Sequence, residues 1–197
     1  MNEVFQSLDM VLADAAAHLQ RAARDRRSPM HVPVVGTADG DLRMMVLRDC
    51  APDLGLLRFH TDARSAKAGV IADGAPVSVL AFDPEAKLQL RLRGMGRIEQ
   101  QGPVADAAWA AATPYARRCY LAEAGPGTPA DGPCSGLPTE VEGAKPDEAQ
   151  LLPARDNFAV LLIEPERIDW LYLAHNGHRR AQFARGQDGW QGAWVVP

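Results

Sequence analysis

Cysteine is scarce. Cys50, Cys119 and Cys134 make an odd count of three with no C-x-x-C spacing, so neither a disulfide framework nor a zinc site is indicated. No uninterrupted apolar run approaches the ~20 residues that a membrane span requires. The opening Met1-Asn2-Glu3 carries no basic leader, and Asp9 and Asp14 interrupt the apolar residues that follow, so a signal peptide is not expected. Positive charge is not in excess either. The formal net charge is −4, which argues against a duplex nucleic-acid binder while leaving room for a local basic pocket. H-E-x-x-H, the P-loop, G-x-G-x-x-G and G-x-S-x-G are all missing. The five histidines (His18, His31, His60, His175, His178) have no metal-ligand spacing; His175 and His178 flank Asn176-Gly177, a hairpin-tip signal. These absences lead to the expectation of a cytoplasmic protein with no membrane, nucleic-acid or metal partner.

What is present is enough apolar residue, 47% of 197, to bury one core, so a single domain over 1–197 is expected. From Glu3 to Arg27, Val4, Leu8, Val11, Leu12, Ala15 and Leu19 recur at helical steps and form one apolar stripe. Arg21, Arg24, Arg26 and Arg27 crowd its end, where cations suit the helix dipole, and Pro29 blocks continuation. The spacing therefore predicts an N-terminal helix within 1–28.

After it the period becomes two. His31 to Val35, Leu42 to Arg48, Leu56 to Thr61, Val77 to Phe82 and Lys87 to Ile98 are short β-rich runs separated by turn signals. In the last run Leu88, Leu90 and Leu92 face one way, and Gln89, Arg91 and Arg93 the other. Ser65 to Ala72 reads as a short helix. Pro103 to Leu121 is helical in character and is interrupted at Pro114. Residues 125–153, rich in proline and glycine, read as a long loop of the sort that often serves as a functional lid. Strand character returns at Phe158 to Ile163, Ile168 to Leu173, Arg180 to Ala184 and Trp190 to Val196. Many short strands with few helices between them indicate an antiparallel barrel or sandwich, mainly β with flanking helices.

The informative stretch is Leu42 to Gln89. A strand that leads into Ser65-Ala66-Lys67 at a helix start brings backbone N–H groups, a hydroxyl and an ammonium together, which are the parts of a phosphate site. The same residues also read as a capped surface helix with a solvated lysine. Arg43 and Arg48 lie five apart, so a regular strand sends them to opposite faces; either a bulge brings both to one region or they address different partners.

The order of these elements resembles the FMN-binding split-barrel family of pyridoxamine 5′-phosphate oxidases. Arg43 to Arg48 falls where that family reads R-x-V-L-L-K, Phe59 to Lys67 where it reads F-Y-T-N-x-x-S-R-K, and Leu88-Gln89-Leu90 where it reads R-Q-V. Ile168-Asp169-Trp170-Leu171 stands for I-E-F-W, and the tract from His178 to Phe183 for R-L-H-D-R-F. The resemblance runs from about Met30 to Pro197. It implies a six-stranded antiparallel split barrel with the N-terminal helix packed outside, and a homodimer with the cofactor site at its interface.

By the resemblance, Arg43, Ser65 and Lys67 hold the FMN phosphate, and Met44, Met45, Val46 and Leu47 face the ring and ribityl chain. His60 and Thr61 flank the cofactor, and Gln89 bonds a polar edge of the flavin. Trp170 and Gln182 join from the second chain. Arg48, Arg117, His178 and Arg180 fall on the substrate side. Each also has a bland reading: Arg43 as a rim charge, His60 as a half-buried imidazole, Gln89 as a polar residue on a wet face.

The departures matter as much. Ala66 replaces the arginine before Lys67, with Arg64 as a potential substitute. Trp109, Thr113 and Arg117 stand where Y-x-x-x-R-P-x-x-S has its tyrosine, arginine and serine. Ala181-Gln182 replaces Asp-Arg, and Leu171 takes the tryptophan place, with Trp170 one position earlier. Loss of a bidentate arginine is not conservative. The resemblance thus implies an FMN-dependent oxidoreductase with hydride transfer from a small anionic substrate to flavin N5, the substrate not being pyridoxamine 5′-phosphate itself. No catalytic side chain is assigned, because hydride transfer needs no protein nucleophile. The alternatives are a flavin- or haem-binding module without turnover, with His31, His60 or His178 as axial ligand, and a bare dimer scaffold.

Overall fold

The computed structural model describes residues 5–197. The expected N-terminal helix is α1, Leu8–Arg24; Glu3 and Val4 of the expected span lie outside the described residues. Ser7 caps its start by accepting the Met10 N–H at 3.3 Å. The helix ends before Arg27 because Asp25 turns extended and its carboxylate accepts the Arg27 N–H at 2.9 Å. Val11, Ala15, Ala16, Leu19 and Ala22 form its buried stripe.

The strands make one antiparallel sheet. They are β1 (Val34–Thr37), β2 (Leu42–Met44), β3 (Leu47–Cys50), β4 (Leu57–Asp62), β5 (Ala75–Asp83), β6 (Leu88–Glu99), β7 (Phe158–Tyr172), β8 (Arg179–Gly186) and β9 (Gly189–Val195). The neighbour order is β2-β1-β5-β6-β7-β4-β3, with β8 and β9 added on β7. β2 and β3 are two halves of the one expected run, broken at Met45-Val46. The two ends of the sheet are thus successive pieces of a single strand. Counted that way, the six barrel positions are β1, β5, β6, β7, β4 and the divided β2/β3. The expected His31 strand start is instead a 3₁₀ turn, Pro29–His31, and pairing begins at Val34.

Two expected strands, Phe158 to Ile163 and Ile168 to Leu173, are one strand, β7. Its first half pairs with β4 and its second with β8, while β6 runs along the whole. The ladder shifts register at Gly94 opposite Pro165. A Cβ on Gly94 would run into the Glu164 carbonyl, so this close crossing requires glycine.

Phe158 to Ile163 is buried at every residue, because both faces of that half are covered. Leu161 and Ile163 enter the main core with Leu88, Leu90, Leu92, Trp170 and the stripe of α1. Phe158, Val160 and Leu162 form a second cluster with Ala105, Ala108, Tyr120 and Ala154. These last come from α3 (Pro103–Ala111), the 3₁₀ turn Cys119–Leu121 and α6 (Ala154–Asn157). Between lie α4 (Pro114–Arg118) and, within the expected long loop, α5 (Glu148–Leu151), opened by an Asp147/Gln150 capping box. The rest of that loop is irregular but anchored: Val141 is buried, and Arg118 donates to the Ala144 carbonyl at 2.7 Å. Among the described residues no helix is long and apolar enough to cross a membrane.

Candidate functional site

The break in β2/β3 creates the site. Met45 keeps its side chain buried and donates its N–H to the Pro33 carbonyl at 3.0 Å, whereas Leu47 resumes pairing opposite Phe59. The register then shifts between Leu47 and Asp49. Break and bulge together reverse the parity of the run, so Arg43 and Arg48 both line one groove of about 330 Å³. Met44, Met45, Val46, His60, Thr61, Asp62 and Lys67 line it as well, and Cys119, Tyr120 and Pro126 close it from the helical side.

One end of the groove is electropositive. Lys67, in α2 (Ala66–Ile71), rests its ammonium on the Ser65 hydroxyl at 3.2 Å. Ser65 is buried and donates to the Asp62 carbonyl at 2.7 Å, with the Thr61 hydroxyl 3.4 Å away. Arg43 is braced by the β1–β2 turn: it donates to the Thr37 hydroxyl at 2.8 Å and pairs with Asp41. Burial first, and the nearby Arg43 guanidinium second, lower the Lys67 pKa against the opposing pull of Asp62 and Asp41. Two cations held this close favour an anion between them.

Further along, His60 stands edge-on to Phe158 with ring centroids 5.0 Å apart. Burial, followed by the charges of Arg48 and Arg58, lowers its pKa to about 4, so the ring is neutral at pH 7. Its Nε2 is buried without a hydrogen-bond partner. The set fits FMN: a cationic corner for a phosphate and an apolar wall from Met44 to Val46 for a ring.

No family model and no curated protein matches the chain. Solved structures do. A pyridoxamine 5′-phosphate oxidase-related, FMN-binding protein from Nostoc punctiforme shares 24% identity and superposes with a TM-score of 0.71 over 93% of this chain and 96% of its own. PhzG from Burkholderia lata, solved in complex with tetrahydrophenazine-1-carboxylic acid, shares 16% identity at a TM-score of 0.66, covering 98% and 94%. A general stress FMN/FAD-binding protein from Xanthomonas citri shares 15% at 0.52, covering 84% and 92%. The fold is the FMN-binding split barrel.

In this split barrel the other expected site residues are dispersed. Leu47 turns its side chain into the core. Trp170, expected at a cofactor from the second chain, is instead fully buried in its own core, its indole N–H donating to Asp14 at 3.0 Å. Gln89 is half-buried between Phe82 and Leu171 in the ladder and does not line the groove. Gln182 and Arg180 belong to a separate hollow centred on Asp169. That carboxylate accepts from Arg91 at 2.7 Å, from Arg180 at 2.6 Å and from Gln182 at 2.8 Å. His178 is exposed in the β7–β8 turn.

Two arginines change role. Arg117, expected on the substrate side, is buried and donates to the Trp109 and Ala110 carbonyls at 2.9 Å each and to Glu148 at 3.0 Å. Its five-donor fork is spent on closing the end of α3, so it is a structural residue of the helical corner. Arg64 does not substitute for the arginine replaced by Ala66. It grips Asp62 at 2.8 and 3.0 Å and the Ala122 carbonyl at 2.9 Å. His31 also has its partner, the Ala22 carbonyl at 2.6 Å.

Sequence reasoning missed Asp62, Cys119 and Tyr120, which line the groove. Asp62 ends β4 just before Ser65 and α2, and its place in that strand–helix segment is the one signal that could have found it. Cys119 and Tyr120 carry no local signal, because packing of Tyr120 on Phe158, centroids 5.1 Å apart, is what brings them to β4.

Proposed function

We propose that the groove binds FMN and that the protein is an FMN-dependent oxidoreductase acting on a small anionic substrate. The observation that carries this reading is the convergence of Lys67 and Arg43 beside the apolar Met44–Val46 wall. Lys67 and Arg43 hold the phosphate, with Ser65 setting the ammonium. The Met44–Val46 segment covers the ring and excludes water. Bound flavin supplies an acceptor for two electrons, which this chain's side chains do not. Three unpaired cysteines accord with a reducing, cytoplasmic setting.

The proposal includes a homodimer. Val34 faces Met44 on one side and Leu80 on the other in the ladder, and both side chains are exposed, as are Leu42 and Phe82. An apolar face of that kind is normally covered by a partner. Titrating the purified chain into FMN while following flavin fluorescence is the direct test, with light scattering for assembly. Saturable quenching with a Kd of about micromolar or below and a dimer mass are expected. Absence of quenching would remove the cofactor assignment, and a monomer that binds FMN tightly would remove the shared site.

A second reading is a flavin carrier without turnover. It is favoured by one observation: Arg117 and Arg180, two of the cations assigned to substrate, are engaged by internal partners. Bleaching of bound flavin by anaerobic donors separates the two readings, and a Soret band would replace both with haem.

A further inference from the structure

Beside the groove lies a second cleft of about 230 Å³, between β3–β4 and α3–α4. Arg48 and His60 line both, so the two spaces adjoin. The strand wall of the cleft is Arg48, Arg58 and His60. The helical wall is methyl groups, from Ala108, Ala111, Ala112 and Ala116, with Thr113 between them.

Two of the residues lining this cleft each carry a buried polar atom without a partner: Arg58 Nε and His60 Nε2. They are two residues apart on β4 and therefore share a face. Buried polar atoms almost always have partners; the Arg58 Nε–H lacks an acceptor, and His60 Nε2 takes one as well in the tautomer that carries its proton there. Arg58 keeps only a loose pairing, 3.5 Å from Asp49, and leaves its Nε edge free. Arg48 has its charge at the mouth. A guanidinium and an imidazole on the same face of one strand offer two donors to the two oxygens of a carboxylate. The methyl wall suits an apolar body. The volume is below the roughly 300–1,000 Å³ of drug-sized pockets, which limits that body to one ring or a short chain.

We propose that this cleft binds the carboxylate of a small monocarboxylic acid through Arg58 and His60, and that it sets the substrate class of the adjoining groove. The second half rests on the flavin reading above. Neutral His60 at pH 7 then contributes a hydrogen bond and no charge, and selectivity for the anion falls on Arg58.

The test is calorimetric titration of the full chain, with and without FMN, using benzoate as the probe. Benzamide serves as its uncharged counterpart and phenyl phosphate as the competing anion. Benzoate is expected to bind at least tenfold tighter than benzamide, and Arg58→Gln to lose at least tenfold for benzoate with FMN affinity unchanged. Ala116→Leu, which fills the opposite wall and keeps helix propensity, is expected to weaken benzoate as well, and covers the case in which Arg58→Gln does not fold. Equal binding of benzoate and benzamide overturns the proposal, as does undiminished benzoate binding in both variants. Tighter, Arg58-dependent binding of phenyl phosphate overturns the carboxylate assignment. FMN binding without benzoate binding sinks the cleft alone. Arg58-dependent benzoate binding without FMN binding sustains the cleft and removes the flavin reading.

Discussion

The indole N–H of Trp170 donates to the carboxylate of Asp14 at 3.0 Å, tying β7 to α1 across 156 residues of chain. Phe5 packs edge-on against the same indole, centroids 4.7 Å apart, so the N-terminal segment is clasped to the barrel by a polar and an aromatic contact. Trp170→Phe keeps most of the ring and removes the donor. A loss of about 0.5–1.5 kcal/mol in urea unfolding is expected for the hydrogen bond, since Asp14 is partly exposed and retains His18 at 3.6 Å, with FMN affinity unchanged. Unchanged stability with weakened FMN binding would return Trp170 to the cofactor.

Lys67→Ala is expected to weaken FMN far more than riboflavin, because only FMN carries the phosphate. A charge-assisted bond of roughly 1.5–3 kcal/mol corresponds to about ten- to a hundredfold in affinity. Equal loss for both ligands in parallel fluorescence titrations would mean that Lys67 supports the fold and does not touch phosphate.

Arg117→Ala is expected to cost about 1–3 kcal/mol of stability, since the Trp109 and Ala110 carbonyls lose their donor. Arg117→Lys is expected to rescue little, because an ammonium lacks the fork that reaches both carbonyls. FMN affinity measured on the folded fraction should not move. A large fall in FMN affinity at unaltered stability would contradict the structural role.

His60 gives a pH dependence with a definite sign. Its pKa falls from 6.5 to about 4, through burial first and the charges of Arg48 and Arg58 next. The unfolded chain therefore takes up a proton that the folded chain refuses. Stability is full above about 6.5 and declines as pH falls toward about 4. His60→Phe removes that proton, so its urea midpoint is expected to fall less than wild type between pH 7 and pH 5. Parallel declines in both proteins would show that other groups govern this window.

With FMN saturating, kcat/KM for pyridoxamine 5′-phosphate is expected to lie below about 10⁴ M⁻¹ s⁻¹, the lower end of ordinary enzymes. Arg117 is engaged in the helical corner, Arg180 is held by Asp169, and His178 is exposed on a turn. Steady-state oxidation assays decide this, and a value in the ordinary range would show that the missing phosphate contacts are replaced from elsewhere.

Much of the molecule was legible from local pattern. Alternation in Leu88, Leu90 and Leu92 marked the core face of β6, because a strand's side chains point alternately to opposite sides. The arginine-rich end located the close of α1 to within a few residues, although Asp25 and not Pro29 stops it at Arg24, and Ser65-Ala66-Lys67 placed a hydroxyl and an ammonium where a helix begins. The parity of Arg43 and Arg48 left two alternatives, a bulge or different partners, and a break with a bulge is what the strand contains. Residues whose role depends on distant partners were illegible. Trp170 reads as a site tryptophan until Asp14 is seen beside it, and Arg117 reads as a free cation until the end of α3 meets its fork. Arg58 looks like an ordinary polar position of a strand until the helices from Pro103 to Arg118 close over it. Alternation and capping act between near neighbours and are written in the sequence. Which buried polar group finds a partner, and which is left without one, depends on segments far apart in the chain, and only their packing together decides it.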